Sequence, residues 1–202
     1  MDSLLDSGNS DDTLTIVMSL ELRRFRFHVD HYYHLAEIGI LSPEDRVELS
    51  RGEIIKKEPQ SSHHASCIMR LNHLINPKTN SKSILRIRGP IRIDQYSEPE
   101  PDLSLLNYQS DYYVKSHPQP KDVFLIIEVA DFELTYDEQT KLPLYAEANI
   151  PEVWLVNLNE NVIEIYRKPD GNNYQEIQQY QRQDEITVPS LELSLKVEQV
   201  LG

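Results

Sequence analysis

Phe124-Leu-Ile-Ile-Glu128-Val-Ala130 is the stretch that decides the fold. The run from Val123 to Val129 is almost continuously apolar, which is typical of a strand covered on both faces. Glu128 interrupts this run near its C-terminal end. A carboxylate in such a place is paired with a cation, bound to a metal, or strongly shifted in pKa. Ligand sites in open α/β sheets commonly lie at strand ends, so the pattern predicts a site at Glu128.

Two further charged residues fit the same site. Upstream, Glu98-Pro-Glu-Pro-Asp102 leads into a predicted strand, and its prolines hold the backbone extended. Downstream, Lys141 follows Glu128 after a short loop, on a predicted helix. Two carboxylates offer the hard oxygen atoms that Mg²⁺ prefers, and a lysine offers charge for a phosphate or a water. The set predicts a divalent-metal site that acts on a phosphodiester.

The helix that carries Lys141 places other polar groups beside it. Asp137, Lys141 and Tyr145 are spaced four residues apart, so they share one helical face. Singly, each residue has an ordinary explanation: a solvated Asp137–Lys141 pair, a packing tyrosine, and a turn-capping role for Asp102. The combination favours a functional site.

The remaining pattern predicts a mixed sheet with helices packed on it. Residues 1–22 are polar and acidic without a period, and we interpret them as a flexible leader to a single domain at 23–202. We predict helices at 28–40, 62–75, 136–148 and 196–201, a hairpin at 46–57, strands at 84–93, 103–106, 123–129, 152–158 and 162–166, and a last meander through 174–180 and 185–188.

Composition limits the possible functions. The 202 residues, 39% of them hydrophobic, fit one domain with a core. The single cysteine, Cys67, excludes an intramolecular disulfide framework and a multi-cysteine zinc cage. No apolar run reaches the roughly 20 residues of a membrane span, so we expect a cytoplasmic protein without a membrane partner. The net charge of −13 argues against tight metal-free binding to nucleic acid.

Several spaced motifs together resemble one family, the Uma-type "putative restriction endonucleases" of the PD-(D/E)XK nuclease superfamily. The resemblance runs from about Val29 to Leu201 and includes the hairpin around Glu48 and the His64 near the start of the second helix. The motifs that carry it are Pro101-Asp102, Ile126-Ile-Glu128-Val, Tyr136-Asp137 through Lys141-Leu-Pro-Leu-Tyr145-Ala, and Ile150-Pro-Glu-Val-Trp154.

The resemblance implies a restriction-endonuclease-like α/β (α+β) fold, with a mixed central sheet flanked by helices and an added C-terminal β meander. It implies a metal-dependent endonuclease that hydrolyses phosphodiester bonds of nucleic acid, with DNA as the expected substrate, Mg²⁺ or Mn²⁺ as cofactor, and a homodimer. The implied catalytic residues are Glu48, Asp102, Glu128 and Lys141; the implied metal ligands are Asp102, Glu128 and the Val129 carbonyl; His64, Asp137 and Tyr145 are accessory candidates.

One departure from the superfamily keeps a second interpretation open. The superfamily's lysine normally stands two residues after the second carboxylate, and that place holds Ala130 here. The lysine looks relocated to Lys141 on the following helix. Together with the acidic net charge, this departure motivates the alternative of a nuclease-fold binding or assembly module that has lost turnover.

A basic face is predicted on the strand at 84–93. Arg86, Arg88 and Arg92 share strand parity there, opposite the apolar residues. Such a face would follow a phosphate backbone, or it would simply be solvated and discourage edge pairing.

The aromatic residues of the C-terminal meander offer a candidate dimer interface, because aromatic side chains are enriched in interfaces. The same side chains would equally close the sheet within one chain. The residues concerned are Trp154, Tyr166, Tyr174 and Tyr180.

Overall fold

The computed structural model describes residues 24–79, 82–131 and 134–202, so the predicted leader at 1–22 lies outside the described residues. The helices are α1 (Val29–Glu37), α2 (Ser62–Ile75), α3 (Leu134–Tyr136), α4 (Leu142–Glu147) and α5 (Val197–Leu201). The strands are β1 (Val47–Ser50), β2 (Glu53–Lys56), β3 (Ser83–Ile87), β4 (Leu103–Asn107), β5 (Val123–Ala130), β6 (Glu152–Asn157), β7 (Val162–Asp170), β8 (Asn173–Tyr180), β9 (Glu185–Val188) and β10 (Leu193–Lys196). Within these described ranges, no helix is long and apolar enough to cross a membrane.

A six-stranded mixed sheet with the order β3-β4-β5-β6-β7-β8 forms the centre. Strands β5 and β6 are parallel, and the other neighbouring strands are antiparallel. A parallel pair requires a crossover, which α3 and α4 supply. The predicted mixed sheet flanked by helices is confirmed, and the C-terminal meander continues that sheet as β7 and β8 before the separate β9–β10 hairpin.

Helices cover the sheet on both faces. On one face, α2, α5 and the β9–β10 hairpin pack on alternate residues of β5, namely Leu125, Ile127 and Val129. On the other face, α4 packs on the intervening residues, including Ile126 and Ala130. Strand β5 is therefore covered on both sides, which explains its continuous apolar run.

The hairpin of β1 and β2 turns through Arg51 and Gly52, both at positive φ (51° and 81°). A Cβ atom on Gly52 would lie 2.5 Å from the Cβ of Arg26, so only glycine fits the turn without a shift. An isolated antiparallel bridge pairs Leu49 with Glu98. The hairpin is thereby fixed beside the segment Glu98–Asp102, called the proline segment below.

The helix predicted at 136–148 is interrupted by a π-helical turn, Asp137–Lys141, between α3 and α4. Pro143 lies in the first turn of α4 and has no N–H, and its ring crowds the carbonyl four residues before it. Widening the preceding turn relieves that crowding, and the Leu142 N–H bonds the Asp137 carbonyl five residues earlier. Such π turns are rare in proteins, and those that do occur often lie at functional sites.

The strand predicted at 84–93 is wrong in its second half. β3 ends at Ile87, because Arg88 takes a left-handed conformation (φ 46°) and Gly89-Pro90 follows it. Arg86, Arg88 and Arg92 therefore do not lie along one strand, and the shared basic face is not formed.

The aromatic residues of the C-terminal meander serve mainly the interior. Trp154 is fully buried in the core below α2, and its Nε1 donates to Glu152 Oε1 at 2.6 Å. Tyr174 is also buried, and its hydroxyl donates to the Ile150 carbonyl at 2.9 Å. These side chains close the sheet within one chain, so they give no support to a dimer.

Replacement of Gly52 by alanine tests the tight turn, and Gly171→Ala is the matched control. Both glycines have positive φ, but nothing lies within 4 Å of a Cβ at Gly171. We expect Gly171→Ala to lower the free energy of unfolding by about 1 kcal/mol, and Gly52→Ala by at least about 1 kcal/mol more. Urea unfolding monitored by circular dichroism measures both, and equal losses would refute the contact with Arg26.

Candidate active site

Asp102 and Glu128 face each other at one end of the sheet. Asp102 immediately precedes β4, and Glu128 lies near the end of the antiparallel neighbour β5, where Leu103 pairs with Ile127. The Asp102 N–H lies 3.4 Å from Glu128 Oε2, and the Val129 N–H donates to Asp102 Oδ2 at 3.0 Å. A backbone N–H group from each of the two segments therefore holds the carboxylate of the other segment.

His64 holds Asp102 from the α2 side. Its Nε2 lies 3.0 Å from Asp102 Oδ2, and since a carboxylate only accepts, Nε2 carries the proton. Burial alone would raise the pKa of Asp102, but the hydrogen bond and charge of His64, the charge of Lys141 and the Val129 N–H outweigh it and lower that pKa. Asp102 is therefore an anion at neutral pH.

Lys141 lies among three carboxylates. Its Nζ is 3.2 Å from Glu128 Oε1, 3.5 Å from Asp137 Oδ1 and 3.8 Å from Glu48 Oε2, and the residue is only 2% exposed. Burial disfavours its charge, yet these carboxylates raise its pKa well above the usual value. Lys141 is therefore a permanent cation, which suits it to stabilise negative charge and not to act as a base.

Tyr145 orients the carboxylate of Glu128. Its hydroxyl donates to Glu128 Oε1 at 2.6 Å, the same oxygen that Lys141 approaches. Burial is the largest cause that raises the pKa of Glu128, and the nearby Asp102 charge adds to it. The second oxygen, Oε2, is left toward Asp102.

Glu48 braces the proline segment from the β1–β2 hairpin. Its Oε2 accepts from the Glu100 N–H at 3.0 Å, and its Oε1 accepts from the Tyr136 hydroxyl at 2.8 Å. Burial would raise its pKa, but the charges of Lys141 and Lys57 and these hydrogen bonds lower it. Glu53, at the start of β2, is exposed and pairs with Arg24.

Sequence reasoning missed several residues around the cleft. Lys57 follows β2, and its Nζ donates to the Glu100 carbonyl at 2.9 Å and lies 3.7 Å from Glu48. Ser61 caps α2 and donates to Asp131 at the end of β5. A serine directly before a predicted helix is a capping signal that the sequence shows, whereas the contacts of Lys57 depend on how the hairpin packs.

The arginines predicted to contact nucleic acid lie outside this cleft. Arg86 bonds His117 at 3.1 Å, and Arg92 pairs with buried Glu98. Arg88 comes nearest, with its Nε 3.9 Å from Asp102 Oδ1. Their contact with nucleic acid stays a prediction.

The cleft is narrow, with a cavity volume of about 20 Å³, and is lined by Asp102, Glu128, Val129 and Lys141 among others. Four buried acidic side chains (Glu48, Asp102, Glu128, Asp137) meet two lysines (Lys57, Lys141), so the acids outnumber the lysines. In the described ranges, no group of three His, Cys, Asp or Glu residues has the geometry of a metal cage. The donors fit Mg²⁺, which usually takes one or two carboxylates and keeps several waters.

The fold resembles that of a solved protein. A crystal structure described as that of a "putative nuclease belonging to DUF820" from Anabaena variabilis ATCC 29413 superposes with a TM-score of 0.64. The match covers 87% of this chain and 97% of that chain at 17% sequence identity, a level that shows the fold alone.

Residues 29–198 match the family Uma2, described as "Putative restriction endonuclease". The chain belongs to that family, and the resemblance seen in its motifs is confirmed. A search of curated proteins finds no match.

Charge removal at Glu128 and Glu48 should change stability in opposite directions. The pKa of Glu128 is raised in the folded protein, so its contribution to stability is present below the usual glutamate pKa and lost as pH rises. The pKa of Glu48 is lowered, so its contribution is present above the usual pKa and lost as pH falls. At pH 7 without metal, we expect Glu128→Gln to unfold no more easily than wild type, and Glu48→Gln to lose roughly 1–3 kcal/mol.

Urea unfolding in EDTA measures both effects. The difference between Glu128→Gln and wild type should shrink as the pH falls from 8 to 5, whereas the difference for Glu48→Gln should stay constant over this range and shrink only below the usual glutamate pKa. A loss of stability in Glu128→Gln as large as that in Glu48→Gln would contradict the assignment.

Proposed function

We propose that the protein is a metal-dependent endonuclease that hydrolyses phosphodiester bonds of nucleic acid, with DNA as the expected substrate. The observation that carries the proposal is the convergence of Asp102, Glu128 and Lys141 in one cleft at the strand ends. Membership of a family described as a restriction endonuclease supports the same reaction class.

Asp102, Glu128 and the Val129 carbonyl would hold Mg²⁺ or Mn²⁺ in this cleft. Such a cation polarises the phosphate and lowers the pKa of a bound water when it is present. The convergence of buried acidic side chains supports a divalent cation there, because neighbouring buried carboxylates are stable only with positive charge beside them.

The protein's own groups supply position and charge. Val129 N–H and His64 fix Asp102, while Tyr145 and Lys141 fix one oxygen of Glu128 and the other lies toward the Asp102 N–H. The ammonium group of Lys141 orients the attacking water or neutralises charge that develops on the phosphate. Ala130 at the superfamily's lysine position is compatible with this role, because only the place of the amine in space matters.

The rival is a nuclease-fold binding or assembly module without turnover. The observation that favours it is the close engagement of Lys141 by three carboxylates, which pairs the amine internally. Isothermal calorimetry with Mg²⁺ and Mn²⁺ separates the two, because a decayed site should bind neither ion.

Cleavage assays test the reaction directly. With Mg²⁺ or Mn²⁺, we expect the wild type to cut a mixture of DNA and RNA substrates and EDTA to abolish cleavage. Asp102→Asn, Glu128→Gln and Lys141→Met should each lower the rate by at least about 100-fold, because each removes a metal ligand or a charge acting on the phosphate. Glu176→Gln, at an exposed position on β8, is the control and should keep the wild-type rate. Cleavage that survives Asp102→Asn would refute the proposed site.

A homodimer is the simplest arrangement for cutting both strands of a duplex, with two sites related by a two-fold axis. Light scattering at tens of micromolar protein should then give about twice the mass of one 23.5 kDa chain. A strict monomer would refute the proposed dimer and would limit each binding event to the cleavage of one strand.

A further inference from the structure

A second depression adjoins the cleft and has no role in the site described above. It is a groove of about 600 Å³, open to solvent, between α1, the β1–β2 hairpin and the loop after β3. Arg46, Lys57 and Gln60 line both the groove and the cleft. A chain whose phosphate lies in the cleft must continue in some direction, and this groove is continuous with the cleft.

Among the described residues, the two charged residues of the groove wall that are exposed are arginines. These are Arg46 and Arg88, and the partly buried Lys57 lines both the groove and the cleft. Of the acids that also line the groove, Glu98 is buried against Arg92, and Glu48 is buried among its own partners. Glu100 is partly exposed and lies 3.5 Å from Lys57. Charges beyond about 10 Å are screened at 0.1 M salt, so this local wall outweighs the acidic total.

Two aromatic rings line the same groove, and both are held in place by their hydroxyl groups. Tyr32 donates to the Val47 carbonyl at 3.0 Å, and Tyr33 donates to Glu98. The Tyr33 residue is 37% exposed although its hydroxyl is engaged. The rings are therefore anchored at one end, and part of the Tyr33 side chain remains open to solvent.

Positive side chains beside fixed aromatic rings are the pattern of single-stranded nucleic-acid sites, where phosphates meet the charges and base faces stack on the rings. A paired duplex keeps its base faces covered by neighbouring bases, so it cannot offer them to Tyr33 without unstacking.

We infer that the groove binds an unpaired stretch of nucleic acid next to the scissile phosphate, with phosphates on Arg46, Lys57 and Arg88 and a base against Tyr33. The assignment rests on the proposed function for the position of the scissile phosphate. It names the substrate class as single-stranded or locally unpaired nucleic acid.

Fluorescence anisotropy with the full chain tests the groove, using labelled single-stranded and blunt duplex DNA of one sequence. Measurements are made in EDTA and again in Ca²⁺. We expect the single strand to bind the wild type more tightly than the duplex does. Tyr33→Leu should weaken single-strand binding roughly ten-fold, and Tyr33→Phe, which keeps the ring, should remain close to wild type. Tyr112→Leu, at an exposed tyrosine outside the groove, is the matched control and should have no effect.

Salt dependence gives a second readout that a purely structural role would not change. Each phosphate contact on a single strand contributes about 0.7 to the slope of log K against log salt. Arg46→Gln should therefore reduce that slope by about 0.7, whereas Lys168→Gln, an exposed control on β7, should leave it unchanged. Thermal unfolding of every variant excludes misfolding as the cause, and Arg46→Gln carries the test should Tyr33→Leu not fold.

Three results would each contradict the proposal that the groove binds a single strand. Neither oligonucleotide binds in either condition, the duplex binds as tightly as the single strand, or Tyr33→Leu and Arg46→Gln bind like wild type. Hydrolysis of bis(4-nitrophenyl) phosphate with Mn²⁺ tests the chemistry separately, because this small diester needs no groove. If hydrolysis depends on Asp102 but the groove variants bind oligonucleotides like wild type, the proposed role of the groove is refuted and the proposed endonuclease activity stands. If the oligonucleotides bind as expected but no hydrolysis occurs, the proposed role of the groove stands and the proposed endonuclease activity is refuted.

Discussion

The buried ammonium group of Lys141 is the interaction on which the rest of the site depends. It lies within 4 Å of carboxylates from three different elements: Glu48 of β1, Glu128 of β5 and Asp137 of the π turn. Without it, these buried acids would repel one another and the hairpin, the sheet and the crossover helix would lose their common contact. One cation thereby ties the local geometry of the cleft to the packing of the whole chain.

The proline segment gives this arrangement its rigidity on the other side. Glu98 is held by Arg92 and by the bridge to Leu49, and the Ile91 N–H bonds the Pro99 carbonyl. The Glu100 N–H and carbonyl bond Glu48 and Lys57. Because neighbouring residues are fixed at every step, Asp102 enters β4 with little freedom, as a ligand position requires.

Much of this could be read from the sequence, because the relevant signals are local. The apolar run around Glu128 and the prolines before Asp102 reflect extended backbone that the structure keeps. The four-residue spacing of Asp137, Lys141 and Tyr145 still brings these side chains to one site, although the turn between Asp137 and Lys141 is π-helical. The family resemblance supplied what those periods could not, namely that the distant segments meet at one site.

Other features escaped because they depend on tertiary contacts or on single residues. The pairing of Lys57 with Glu48 follows from where the hairpin packs, and no spacing along the chain encodes it. Strand β3 stopped early because Arg88 is left-handed before Gly89-Pro90, although the alternation of side chains continued. The sequence leaves Trp154 open between a dimer interface and the core, since aromatic residues suit both, and the structure buries it.

The π turn makes the site sensitive to chain length more than to composition. Glu138 and Gln139 in the turn are exposed, so many side chains are acceptable there. A π turn holds one residue more than an α turn, so a single deletion within Asp137–Lys141 would convert it to an α turn and leave α3 and α4 in nearly the same relative rotation. Asp137 and Lys141 would then be three residues apart instead of four, and their side chains would shift relative to one another and to Glu128. A one-residue change in length would alter the site within an intact fold.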